Sequence, residues 1–222
     1  MRRLIHTIAF WIHLYIGPLE DRGVVPKLYR WTLKREAATG RAPFILNGNS
    51  VVAAGLLVFR QIPGMRIIAI PGMKLTGIRA NMFAFAAPNE PDIYIFDGLG
   101  NDFRDNVDPD EAFEELKVAV SEARIALGAS CQIYWINIVP PGRQWPELAG
   151  KIVLFNERVR MAGWFVKILD IHSRLRGEDG LFCKPEYSEP KDGIHNTPIA
   201  YEREWGPMIN GVINKHNQEK GA

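Results

Sequence analysis

"FILNGNSVVAAG", Phe44 to Gly55, decides how this chain is read. Phe44, Ile45 and Leu46 form a short apolar run of the kind that suits a strand covered on both faces. Asn47, Gly48 and Asn49 then turn the chain, each by residue types that tolerate tight backbone geometry. Ser50 follows, and the small apolar residues after it predict a helix. The stretch predicts a strand that ends in an exposed hydroxyl just where a helix begins.

The same alternation recurs downstream. Strands are predicted at Pro43–Leu46, Arg66–Ile70, Asp92–Phe96, Gln132–Val139 and Phe165–Ile171, with helical patterns between them. The clearest helix lies in "NVDPDEAFEELKVAVSEARIALG". Asp108 is placed to cap it, Pro109 fits its first position, and Glu111 has capping-box spacing. Phe113, Leu116, Val120 and Leu127 share one face, and Gly128 is placed to end it. Regular strand–helix alternation predicts an α/β sandwich with a mainly parallel sheet. Ligands of such sheets sit beyond the carboxyl ends of the strands, where Ser50 stands.

Composition excludes several classes. The 222 residues carry a formal net charge of +2, without the basic stripe of a nucleic-acid binder. There is no internal repeat or low-complexity tract. Of the two cysteines, Cys131 opens an apolar run and is expected to pack as a small hydrophobe, while Cys183 falls in a predicted loop. No Cys/His cluster has zinc spacing, so no metal is expected.

Residues 1–42 read as a helical N-terminal extension and residues 43–222 as the main domain. "MRRLIHTIAFWIHLYIG" begins with two arginines and an apolar run, but His6 and His13 interrupt it. It is too short to span a bilayer and no A-x-A-like cleavage site follows. Ile5, Ile8, Ile12 and Tyr15 recur at helical spacing. Two readings stay open: a helix packed on the domain's own surface, or one lying in a membrane interface or on a partner, with Arg2 and Arg3 at its edge. Either favours a cytoplasmic or membrane-peripheral location over secretion by a cleaved signal.

Four segments at strand ends or in a late loop carry candidate chemistry: "NGNSV", "AIPGMKL", "FDGLGNDF" and "KDGIHNTP". Acyl transfer needs a nucleophile, a base, an orienter for that base and donors for an oxyanion. Ser50, His195 and Asp192 fit the first three roles. The Gly72 N–H and the Asn101 amide fit the fourth. His172, at the end of "ILDIHS", is a competing base.

These segments resemble the blocks of the SGNH hydrolases, the GDSL esterase/lipase superfamily. Gly48-Asn49-Ser50-Val51 is similar to the first block, which gives Ser50 the nucleophile role. Gly72 in "IPGMKLTGI" matches the oxyanion glycine of the second block, and Asn101 the asparagine of the G-x-N-D block. Asp192-Gly193-Ile194-His195 matches the final D-x-x-H, and "IAYEREW" is similar to the run that often follows it. The resemblance covers roughly residues 43 to 212. It implies a flavodoxin-like three-layer sandwich with a five-stranded parallel sheet. It also implies a Ser50–His195–Asp192 triad, with Ser50, Gly72 and Asn101 forming the oxyanion hole and no cofactor. Two positions depart from the pattern: Asn49 replaces the usual aspartate, and Leu99 stands where the third block has glycine.

The short gap between Ser50 and the next strand leaves little room for a lid. That favours a small acyl group, such as acetyl on a carbohydrate. Arg143 and Trp145 in "PPGRQWPELAG" are placed to line the pocket rim, where they would contact a sugar or an anionic group. Two alternatives are a catalytically weak binding module on the same fold, and a peripheral-membrane lipase or acyltransferase.

Overall fold

The computed structural model describes residues 41–162 and 165–221. The predicted N-terminal helix lies outside the described residues. Five strands form one parallel sheet: β1 (Phe44–Gly48), β2 (Met65–Ala69), β3 (Ile93–Asp97), β4 (Gln132–Ile136) and β5 (Lys167–Leu169), in the order β2-β1-β3-β4-β5. This is the flavodoxin-like order, and it reverses between β1 and β3.

The strands alternate between two cores, because successive side chains point to opposite faces. Ile45, Tyr94 and Phe96 face one core, together with Leu75, Leu116, Val120, Ile152 and Phe155. Phe44, Leu46, Ile93 and Ile95 face the other, with Val52, Phe59, Trp205, Ile209 and Ile213. Continuous apolar strands therefore mean what they suggested: helices cover the sheet on both sides.

The helices that frame the site are α1 (Ser50–Ala54), α2 (Leu75–Asn81), α3 (Gly100–Arg104), α4 (Pro109–Leu127), α5 (Pro146–Met161), α6 (Ile171–Leu175) and α7 (Gly206–Gly221). In α4 the capping residue acts as expected. Asp108 Oδ1 accepts from the N–H of Asp110 at 2.8 Å and of Glu111 at 3.3 Å.

Two strands are shorter than predicted. β4 stops at Ile136 rather than Val139, because side chains take over the next backbone groups. Asn156 Oδ1 accepts the Ile138 N–H and Asn156 Nδ2 donates to the Ile138 carbonyl. β5 stops at Leu169, and Asp170 caps α6 by accepting from Ser173 N–H at 3.0 Å. His172 therefore belongs to a helix and not to a strand end. Cys131 and Cys183 are both buried free thiols, and burial pushes each up to about 12.

Candidate active site

β1 and β3 flank the point where the strand order reverses, and each delivers a site segment from its carboxyl end. β1 delivers Ser50 at the first turn of α1. Asn49 caps that turn, its Oδ1 accepting the Val51 N–H at 2.8 Å. An aspartate at this position would supply the same acceptor. Ser50 is only 5% exposed, not the exposed residue expected from sequence. Its helix packs Val51, Val52 and Ala53 into the core and carries the serine inward with them.

β2 ends in Ile70-Pro71-Gly72-Met73. The Met73 N–H reaches the Ile70 carbonyl at 3.4 Å, and Gly72 has φ +75°. Proline followed by a left-handed glycine is the signature of a type II turn, where a side chain at Gly72 would be strained. The Ile70 N–H donates to the Gly48 carbonyl at 3.1 Å, which ties this turn to the end of β1. Among the described residues, no hydrogen bond takes up the backbone N–H of Gly72 or of Ser50.

β3 delivers Asn101 and Asp102 in the first turn of α3. Asn101 Nδ2 donates to the Met73 carbonyl at 2.9 Å, and Asp102 Oδ2 accepts the Leu75 N–H at 3.1 Å. Both residues thus dock the third block onto the second. Burial raises the Asp102 carboxyl, opposed by that backbone donor. Leu99 takes φ +79°, a left-handed conformation that glycine favours.

The late loop supplies Asp192 and His195. Asp192 Oδ1 accepts the N–H groups of Ile194 at 2.8 Å and His195 at 3.0 Å. Asp192 Oδ2 lies 2.6 Å from His195 Nδ1, which donates to it. Burial pushes the Asp192 pKa up. The hydrogen bond and charge of His195, with the two backbone donors, outweigh burial and hold the carboxyl at about 2. The carboxylate fixes the imidazole tautomer with its proton on Nδ1. His195 Nε2 is then a bare acceptor, buried without a hydrogen-bond partner among the described residues.

The helical segment after His195 bonds back to α1. Tyr201 OH donates to the Val51 carbonyl at 2.7 Å, and Trp205 Nε1 to Asn196 Oδ1 at 3.1 Å. The first of these bonds ties the segment after His195 to α1 across 150 residues of chain.

His172, the competing base, leaves its Nε2 buried without a partner among the described residues, as His195 does, but it has no carboxylate on Nδ1. Its Nδ1 lies 2.9 Å from the Ile138 carbonyl, and burial lowers its pKa. Arg143 Nη2 is paired with Asp179 at 2.7 Å, and its guanidinium lies over the Phe182 ring. Trp145 Nε1 donates to the Asp192 carbonyl at 2.7 Å. Both residues expected at the pocket rim thus have partners within the protein. Sequence reading also passed over Asp97, a buried carboxyl at the end of β3 whose Oδ2 lacks a partner. Among the described residues, no group of three His, Cys, Asp or Glu side chains could hold a metal ion, and no helix is long and apolar enough to cross a membrane.

No protein-family model matches the chain, and no curated protein does. Solved structures do. A GDSL-like lipase from Bacteroides thetaiotaomicron is 14% identical with a TM-score of 0.69, covering 86% of this chain and 98% of its own. A lipase from a goat rumen metagenome is 14% identical with a TM-score of 0.60, covering 77% and 95%. The lipase/acylhydrolase from Enterococcus faecalis is 18% identical with a TM-score of 0.59, covering 78% and 95%. The fold of this chain is the fold of those proteins.

Proposed function

We propose that this chain, built on the fold of the GDSL-like lipases and acylhydrolases, is a serine ester hydrolase with Ser50 as nucleophile. One observation carries the reading: Asp192 Oδ2 lies 2.6 Å from His195 Nδ1, and His195 Nε2 is buried with no hydrogen-bond partner among the described residues. His172 and His216 also bury a partnerless Nε2, but their Nδ1 atoms lie against a carbonyl and an amide, whereas that of His195 is held by a carboxylate. The task of a base is to accept a proton.

In this reaction Ser50 Oγ attacks the ester carbonyl carbon and its proton passes to His195 Nε2. The carbonyl π electrons move to oxygen. That oxyanion is held by the N–H groups of Ser50 and Gly72 and by the second amide N–H of Asn101, whose first is spent on Met73. Asp192, ionised throughout the neutral range, stabilises the imidazolium. The C–O bond to the leaving alcohol breaks, and the alcohol takes the Nε2 proton. Water then attacks the acyl-serine with the same base, releases the carboxylic acid and restores Ser50.

The substrate we favour is a small acyl ester, with O-acetyl on a carbohydrate as the first class to try. Only ten residues separate the end of α1 from the start of β2, a span without the length of a lid. The test is hydrolysis of p-nitrophenyl acetate by wild type and Ser50→Ala, with fluorophosphonate labelling of both. Turnover and labelling by the wild type alone is the expected result. Equal inertness of two folded proteins would end the hydrolase reading.

A further inference from the structure

The segment Pro141–Trp145 grips the loop that carries the base. Trp145 Nε1 donates to the carbonyl of Asp192 at 2.7 Å, and the Gly142 N–H donates to the carbonyl of Gly193 at 2.6 Å. Two consecutive peptide planes of the D-x-x-H turn are therefore held from outside. From inside, Asp192 Oδ1 holds the N–H groups of Ile194 and His195. Gln144 completes the grip. Gly193 sits at φ +63°, and a Cβ there would lie 2.2 Å from Gln144 Cδ, so the Gln144 side chain rests directly on its Cα.

This grip has an anchor. Trp145 packs against the core that α4 and α5 build on one face of the sheet. The Cys183 N–H donates to the Pro141 carbonyl at 2.9 Å, which fixes the other end of the segment. A tryptophan buried on one side and hydrogen-bonded at its N–H has little freedom left. Rotation of the Asp192 peptide plane would swing Oδ2 away from His195 Nδ1, and the Trp145 bond resists that rotation.

We infer that Trp145 is a positioning residue: its indole N–H, bonded to the Asp192 carbonyl, sets the geometry of the Asp192–His195 pair instead of touching substrate. Geometric errors near 1 Å in such an array cost about a hundredfold in rate. A ring that contacts substrate would instead act on binding. The two roles separate in kcat and KM.

The test is Trp145→Phe, which keeps an aromatic ring and deletes the donor. Its kinetic arm rests on the hydrolase reading above; its spectroscopic arm does not. The His195 Nδ1 proton, in a 2.6 Å bond to a carboxylate, is expected far downfield of other ring protons and can be followed by NMR. We expect kcat to fall about tenfold to a hundredfold with KM within twofold, and the downfield resonance to weaken or vanish. Unchanged kcat with an intact resonance overturns the inference. So does a rise in KM alone, which would make Trp145 a substrate contact. If the wild type proves inactive, the resonance decides: lost in Trp145→Phe, the positioning role stands without the hydrolase; retained, it falls. Gln144→Ala, which takes the side chain off the same turn without straining its backbone, gives a second route to the same two readouts should Trp145→Phe fail to fold.

Discussion

Asn101 spends one of its two amide N–H bonds on the carbonyl of Met73, at 2.9 Å. The bond joins the end of β3 to the turn after β2, across the β1 segment that carries Ser50 between them. It fixes the plane of the Asn101 amide, so the direction of its second N–H is fixed as well. A donor that is already oriented costs nothing to orient when charge develops, which is what makes an oxyanion hole effective.

Asn101→Ala removes both the second donor and the tie to Met73. We expect kcat to fall by about 10²–10³ with a smaller change in KM. Steady-state kinetics on p-nitrophenyl acetate check this. A variant that retains full kcat would mean that Asn101 only braces the turn.

Leu99 gives a prediction about stability rather than rate. It is buried, and its φ of +79° is a left-handed conformation that costs an L-residue about 1–2 kcal/mol. Truncating a buried leucine to alanine costs about 2–5 kcal/mol, and alanine keeps the strain. Glycine loses the same packing but escapes the strain. Leu99→Gly is therefore expected to be more stable than Leu99→Ala, by about 1 kcal/mol, and both less stable than wild type. Urea unfolding of the three proteins measures the order. Alanine above glycine would place Leu99 in an ordinary backbone conformation.

Much of the candidate site's layout was legible because its parts are short and local. Gly48-Asn49-Ser50, Pro71-Gly72, Asn101-Asp102 and Asp192-Gly193-Ile194-His195 each sit where a strand or loop ends, and each needs particular residue types there. The parallel sheet was legible from its continuous apolar runs. What escaped reading depends on contacts between distant residues. Nothing near Trp145 in sequence points to Asp192, 47 positions on. Nothing near Gln132–Val139 says that Asn156 will claim the backbone of Ile138 and cut the strand short. The burial of Ser50 escaped for the same reason, since the small residues around it gave no sign of how deeply α1 would pack.

Asp97 links the fold to pH. It is fully buried at the end of β3, its Oδ2 lacks a partner, and burial raises its pKa from 3.8 to about 7. A folded-state pKa above the unfolded value means that stability is greatest below about 3.8 and is lost as pH rises toward 7. Asp97→Asn keeps the shape without the charge. The variant should match the wild type near pH 4 and gain on it steadily to pH 7, by up to roughly 4 kcal/mol, then hold that lead. Denaturant unfolding at a series of pH values measures the difference. A constant difference across that range would mean that Asp97 titrates normally.

Asp192 behaves in the opposite sense. Its carboxyl is held at about 2 against an ordinary 3.8, so its contribution to stability is present above about 3.8 and is lost as pH falls toward 2. The side chain is about one-third exposed, and solvent screening keeps that contribution modest. Asp192→Asn should therefore change the unfolding curve little at pH 7 and flatten its decline below pH 4. Its effect on catalysis should be far larger. The amide presents a neutral partner to His195 Nδ1 and favours the tautomer whose Nε2 already carries a proton, which leaves Ser50 without a base. In serine triads this exchange costs about 10⁴ in kcat, and we expect a loss of that order here. A stability profile nearly unchanged at neutral pH beside a collapse in turnover is the pattern of a carboxylate that orients a base. A loss of turnover below tenfold would instead mean that His195 keeps its tautomer without Asp192, and that the 2.6 Å bond between them is not what prepares Nε2 to accept the proton of Ser50.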